Sequence, residues 1–226
     1  MDFSFMKDYW ALFLGGMKVT LLISFFTVIF GTVFGTVLSL FRISSNPILK
    51  GLAATYTEFI RGTPIMVQLF IVYYGLPAIG IEFPKVAMLG DGFSDMMAGV
   101  VALSINSSAY VSEIIRAGIQ AVDKGQMEAS LSLGMTEFMA MKHVILPQAF
   151  KNILPALGNE FITIIKESSI VSVIGIQELM YNADTVRGNL YKPFEPLLIA
   201  AFMYFVMTFT LSKIMGLVEG RLKTSD

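Results

Sequence analysis

Thr20 to Phe41 reads TLLISFFTVIFGTVFGTVLSLF, an apolar run without a single charge. A helix rises ~1.5 Å per residue and the hydrocarbon layer is about 30 Å thick, so roughly 20 such residues cross a bilayer. The run predicts a membrane-spanning helix, and with it an all-α membrane protein, since helices and closed barrels alone satisfy their backbone inside lipid. Within it Gly31 and Gly35 form a G-x-x-x-G. That spacing lets a second helix approach closely, although a pair of small residues also arises by chance.

Reading outward, the 226-residue chain is 55% hydrophobic and 15% charged, a departure from soluble domains in the membrane direction. A net charge of -1 gives no basic field for nucleic acid, and the absence of cysteine removes disulfides and thiolate metal sites. Four further spans are expected: within Leu52 to Leu76, charged early by Glu58 and Arg61 and bent by Pro64; Met96 to about Ile115; Ile153 to about Ile176; and about Pro196 to Val218. Five spans in one transmembrane unit over residues 1–226 is the expected architecture. The segment before the first run, with Tyr9 and Trp10, is amphipathic and suits a helix lying along the interface, and it has no signal-peptide pattern.

Lysine and arginine bias sets the orientation. With the N-terminus outside and the C-terminus cytoplasmic, the inner side holds Arg42, Lys50, Arg116, Lys124, Lys142, Lys151, Lys213, Arg221 and Lys223. The outer side holds Lys7, Lys18, Lys85, Arg187 and Lys192. Outer loops fall near Gly75 to Asp95 and Gln177 to Glu195, and the longest inner loop is about 117–152.

That inner loop contains GQMEASLSLGMTEFMAMKHVILPQA, from Gly125 to Ala149. Gln126 to Leu133 favours helix, Gly134 suits a helix stop, and Thr136 with Glu137 opens a second helix with Phe138, Met141 and Ile145 on one face. Pro147 terminates or bends that helix. Such a surface docks a cytosolic protein in helix-in-groove fashion, or rests on lipid headgroups. His143, beside Lys142 on this helix, is a solvated or partner-facing side chain; a single histidine forms neither a metal site nor a catalytic triad.

Ionisable residues inside a bilayer count as functional by default. Glu58 with Arg61, and Glu113 with Arg116, stand three apart and suit local pairing. Glu160 has no basic residue three or four positions away and lies roughly 10 Å into its span. Its carboxylate would accept a charge-assisted contact from the guanidinium or ammonium of a cationic amino acid; the other readings are an interhelical partner such as Lys166 of a second subunit, or protonation. Gln68, Asn106, Ser107, Ser108, Asn159, Ser168 and Ser169 would hold the α-carboxylate and α-ammonium, or bond one helix to another.

Glu128-Ala129-Ser130, then Gly134, then Val144-Ile145-Leu146-Pro147 resembles the E-A-A…G…I-x-L-P loop of ABC importer permeases, with Ser130 for the second alanine and Val144 for isoleucine. RGTPIMVQLF from Arg61, SAYVSEIIRAGI from Ser108, ALGNEFITIIKESSIVSVIG from Ala156, and Gly15 with Thr20-Leu21 extend the resemblance to the polar amino acid subfamily (histidine, glutamine, glutamate, arginine, opine) over most of the chain. The resemblance implies a five-helix permease in the bacterial cytoplasmic membrane, paired with an identical or paralogous permease. It also implies two ATP-binding cassette subunits gripped by the loop at Glu128, Ala129, Ser130, Gly134, Leu146 and Pro147, and an extracytoplasmic solute-binding protein. No G-x-x-x-x-G-K-[ST] occurs, so ATP and magnesium are expected on the partner ATPase and no cofactor or metal on this chain.

The expected function is the transport subunit, itself no enzyme, of an ATP-driven importer for polar, basic amino acids. Glutamine, glutamate or cystine are the alternative cargoes. A stand-alone secondary transporter would show paired internal repeats, and five spans do not halve. An intramembrane enzyme would need a nucleophile and base or a metal cluster.

Overall fold

Helix α1 (Met6–Ile43) runs unbroken for 38 residues in the computed structural model, which describes residues 1–85 and 92–223. The separate interfacial helix expected before Thr20 is therefore the first part of α1. Nothing between Lys7 and Lys18 breaks the hydrogen-bond ladder, and Gly16 lets α1 pass close to another segment: a Cβ there would lie 2.8 Å from the Leu179 Cα.

Asn46 caps α2 (Pro47–Arg61), its Oδ1 accepting from the Ile48 amide at 2.9 Å, with proline in the first turn. The chain then turns by 106° into α3 (Ile65–Phe70), a π-helical turn at Ile71–Gly75 and α4 (Leu76–Ala78). Pro64 withholds an N–H and drives the residue before it out of the helical region, so the expected single span from Leu52 to Leu76 is a broken one. After residues 86–91, the part of the expected outer loop that lies outside the described residues, come α5 (Phe93–Gln120), α6 (Lys124–Ser132), α7 (Glu137–Ala140), α8 (Leu146–Glu167), α9 (Leu179–Leu190) and α10 (Glu195–Lys223). There is no strand among the described residues.

Three helices, α1, α5 and α10, are long and apolar enough to cross a membrane, and the bent α2–α4 pair makes a fourth crossing if counted as one. The chain is a multi-pass membrane protein. Helix α8 falls short of the same measure because Lys151, Asn159, Glu160, Lys166 and Glu167 dilute its apolar content.

The centre is the contact of α1 with α5. A Cβ on Gly31 would lie 2.8 Å from Ser107 Oγ, and one on Gly35 would lie 2.6 Å from Val111 Cβ. The G-x-x-x-G therefore faces another helix at backbone distance. Around this seam lie two apolar clusters. One joins Ile23, Leu69, Leu103 and Val171; the other joins Phe13, Ile165, Leu179 and Met203.

The expected outer loop from Gln177 to Glu195 is mostly α9, held by a residue with no signal in the sequence. Glu178 is wholly buried (0% exposed). Its carboxylate accepts from the amides of Met180 (2.9 Å) and Tyr181 (2.7 Å), the Tyr204 hydroxyl (2.6 Å) and the Thr20 hydroxyl (3.3 Å). One side chain thus caps α9 and ties it to α1 and α10. Nearby, Lys192 bonds Asp2 at 2.6 Å and holds that carboxyl well below its usual range. Replacing Glu178 by alanine strands four donors, and the expected loss is about 3 kcal/mol of stability, read as a lower unfolding temperature in detergent.

Candidate functional site

Glu160 faces α5 from α8, where its Oε1 accepts from Ser107 Oγ at 3.0 Å. Among the described residues no cation pairs with it, so its partner inside the bundle is a hydroxyl. Ser107 itself is 2% exposed. Next to it on α5, Ser108 donates to the Ile105 carbonyl at 2.7 Å and shares a 2.9 Å hydrogen bond with Tyr56 of α2.

Gln68 and Asn106 also meet, Asn106 Nδ2 donating to Gln68 Oε1 at 2.9 Å. The Gln68 amide nitrogen donates to Ile60 O at 2.7 Å, and Thr63 O (3.1 Å) and Oγ1 (2.9 Å) are within its reach. These are mostly backbone groups freed by the turn at Pro64, so this amide bonds the bend from within and fastens it to α5. Asn159 has an exposed side chain, and its carbonyl accepts from the Thr163 hydroxyl at 3.1 Å. Ser168 and Ser169 donate to Ile165 O and Lys166 O, each at 2.8 Å, where α8 tightens into the 3-10 segment Ser168–Ile174. Of the eight polar residues singled out for a pocket, the structure joins Ser107 to Glu160 and Gln68 to Asn106 by hydrogen bonds, with Ser108 adjacent on α5.

A second cluster links the ends of three helices. Arg42 of α1 pairs with Glu113 of α5 at 2.7 Å, and Arg116 pairs with the same carboxylate at 2.7 Å, the local pair expected from the sequence. Arg61 sits over the Tyr110 ring at 5.5 Å, and no ion pair joins it to Glu58 among the described residues. The place of Arg42 has no signal in the sequence, because no spacing connects the end of α1 with α5.

Between α5 and α8 the chain folds into an elbow. Asp123 caps α6 through the Gly125 amide at 2.7 Å. At its far end Gly134 takes φ +86°, with Gly134 N–H bonded to Leu131 O (3.0 Å) and Met135 N–H to Ser130 O (3.1 Å). This pair of bonds is a Schellman stop, which needs a left-handed residue. Thr136 then caps α7 through the Met139 amide at 3.3 Å. Glu128 and Ala129 are exposed, while Ser130 is buried and donates to Gln126 O at 2.6 Å.

The structure refines two expectations about this elbow. Phe138, expected on one face with Met141 and Ile145, is 74% exposed, while Ala140 and Ile145 are buried. Pro147 does not end the second helix. It lies in the first turn of α8, and a π-helical turn at Met141–Ile145 carries the chain into it without a break. The wider turn accommodates a ring that would clash with an α-helical carbonyl one turn back. Leu133 (85% exposed) and Phe138 stand out from the elbow with no covering element.

Comparison with known proteins fits this architecture. The family of binding-protein-dependent transport system inner membrane components matches residues 10–224. Over the whole chain and 99% of its own length, the arginine transport system permease protein ArtQ of Bacillus subtilis is 46% identical. A putative glutamine transport system permease protein, GlnP of Rickettsia felis, is 44% identical over 92% of this chain and 91% of its own. A crystal structure of an amino acid ABC transporter with histidines superposes with a TM-score of 0.90 at 52% identity, covering 98% of this chain and 99% of that one. The MetNI methionine ABC transporter shares the fold, with a TM-score of 0.76 at 18% identity over 98% and 99% of the two chains. The chain belongs to the binding-protein-dependent inner membrane components, among the amino-acid ABC permeases.

Replacing Gln68 by leucine leaves the carbonyls of Ile60 and Thr63 and the Asn106 amide without this partner. The expected effect is a loss of about 3 kcal/mol of stability. It is measured by thermal unfolding of the detergent-solubilised protein without substrate; unchanged unfolding would remove the amide from its place as the bond across the bend.

Proposed function

We propose that this chain forms the translocation path of an ATP-driven importer for polar amino acids of the basic class: arginine, lysine or histidine. The observation that carries the substrate class is Glu160, a carboxylate within the bundle whose bonded partner is a neutral hydroxyl. A cationic side chain entering from the path supplies the charge it lacks, through a charge-assisted hydrogen bond. The name of the arginine relative supports the same class. Glutamine is the second reading, supported by relatives named for glutamine transport. An amide cargo would draw less from Glu160 than a cation does.

In this reading α8 is the fifth span, its charged residues turned toward the path or a second permease. The N-terminus lies outside and the C-terminus in the cytosol of a bacterial cytoplasmic membrane, as the lysine and arginine bias favours. Two permease subunits, identical or paralogous, enclose the path, and a solute-binding protein delivers cargo from outside. The elbow of α6 and α7 docks the ATPase, with Glu128, Ala129, Ser130, Gly134, Leu146 and Pro147 at the contact. The exposed Leu133 and Phe138 support an apolar groove as its seat. ATP and magnesium bind in the partner; ATP binding closes the ATPase pair, moves the two elbows and switches access from one side to the other.

The test is reconstitution with the cognate ATPase and solute-binding protein in proteoliposomes. Glu160→Gln should lower uptake of arginine and lysine about tenfold more than uptake of glutamine. Equal loss for all cargoes would make the carboxylate a structural group. Gly134→Asp, at a φ of +86°, should reach the membrane yet hydrolyse ATP without matching uptake. Wild-type coupling there would remove the elbow from energy transfer.

A further inference from the structure

Of the eight buried serines among the described residues, Ser104 and Ser112 have no hydrogen-bond partner, and five of the rest share one kind of partner. Ser24, Ser39, Ser108, Ser130 and Ser168 all donate to a carbonyl three or four residues back in their own helix, at 2.6 to 2.8 Å. This is the usual local bond of a helical hydroxyl. Ser107 departs from the pattern: it reaches across to Glu160 of α8, 3.0 Å away. Gly31 of α1 lies directly against it. A methyl at position 31 would stand 2.8 Å from Ser107 Oγ and 2.9 Å from its Cβ, closer than side-chain carbons pack.

We infer that Gly31 is a positioning residue for cargo recognition: by lacking a side chain, it leaves the Ser107 hydroxyl in the place from which it holds the Glu160 carboxylate. The inference rests on the reading that Glu160 contacts the cargo. With a methyl at position 31, Ser107 has two ways to relieve the contact. Its hydroxyl rotates, and then the carbonyl of its own helix is the available acceptor. Alternatively α5 moves away from α1, and Ser107 moves with it. Either response alters the bond to Glu160, which is then free to turn in the path. Gly35, one turn along α1, provides the contrast. It is packed as tightly, but a methyl there would first meet Val111 Cβ at 2.6 Å and the Ser108 carbonyl at 2.8 Å, and neither residue is bonded to Glu160. The two halves of the G-x-x-x-G thus have separable duties: Gly35 closes the helix pair, and Gly31 also sets the carboxylate.

The experiment uses the complete transporter in proteoliposomes, with arginine and glutamine as the measured cargoes. Gly31→Ala should raise the half-saturating concentration of arginine about tenfold, the scale of one hydrogen bond to a charged group, with a smaller change in maximal rate. Gly35→Ala should lower the unfolding temperature and leave the arginine half-saturation within about twofold of wild type. Ser107→Gly removes both the hydroxyl and the carbon that a new methyl would strike. In that background Gly31→Ala should have no further effect on arginine. Equal shifts from Gly31→Ala and Gly35→Ala, or a Gly31→Ala shift that persists with Ser107→Gly, overturn the inference. If Gly31→Ala fails to assemble, the double variant decides. Assembly restored with the half-saturation of Ser107→Gly alone supports the assignment; assembly not restored refutes it. Glu160→Gln, measured in parallel, separates the two levels. Loss of arginine selectivity there, with none in Gly31→Ala, refutes the role of Gly31 alone. Unchanged selectivity in Glu160→Gln removes the underlying reading as well.

Discussion

Two helices of this protein touch at backbone distance, and the rest of the architecture depends on that contact. Within hydrocarbon there is little apolar driving force between helices, because lipid tails are as apolar as leucine. Association then comes from dispersion contacts and interhelical hydrogen bonds, both of which weaken steeply with separation. The glycines of α1 bring α5 close enough for its serines to be buried, and the same closeness fixes where α8 and the bent α2–α3 pair are seated. Two of the polar side chains that cross between helices carry several bonds each: Glu178 serves three helices, Gln68 the bend and α5 together.

The sequence reveals this fold unevenly, for physical reasons. Runs such as Thr20 to Phe41 and Pro196 to Val218 declare themselves because lipid exposure demands apolar residues on every face. Helix α8 does not, since much of its surface meets protein and tolerates Lys151, Asn159 and Glu160. Helix α9 is hidden within an expected loop. Its sequence, LMYNADTVRGNL, is polar on balance, and its burial comes from Gly16 and Thr20, more than 150 positions away. The break at Pro64 is legible as a bend but not as a right-angled turn, because the amide that satisfies it comes from Gln68, one turn further on.

The candidate site divides in the same way. Glu160 stands out through a local fact, the absence of any cation at helical spacing. Its partner Ser107 is one of several candidate hydroxyls, and nothing in the spacing distinguishes it from Ser108; that difference is made by a glycine on another helix. In the elbow, Gly134 and Thr136 are readable, since both are terminal signals that act within a few residues. Pro147 misleads because proline usually ends a helix, and here a π-helical turn absorbs it.

That absorbed proline has a mechanical result. From Glu137 to Glu167 the backbone stays helical, about 45 Å measured along the chain, through a π-helical turn before Pro147 and past Pro155 inside α8. The elbow sits at one end and Glu160 far along the shaft. If the elbow receives the ATPase, as proposed, a turn of this helix at that end would carry the carboxylate with it. At a radius of about 6 Å from the axis, a rotation of about 20° sweeps its oxygens by about 2 Å. That arc is comparable to the difference between a made and a broken hydrogen bond, so in the proposed reading a small turn at the elbow would suffice to make or release the carboxylate's contact.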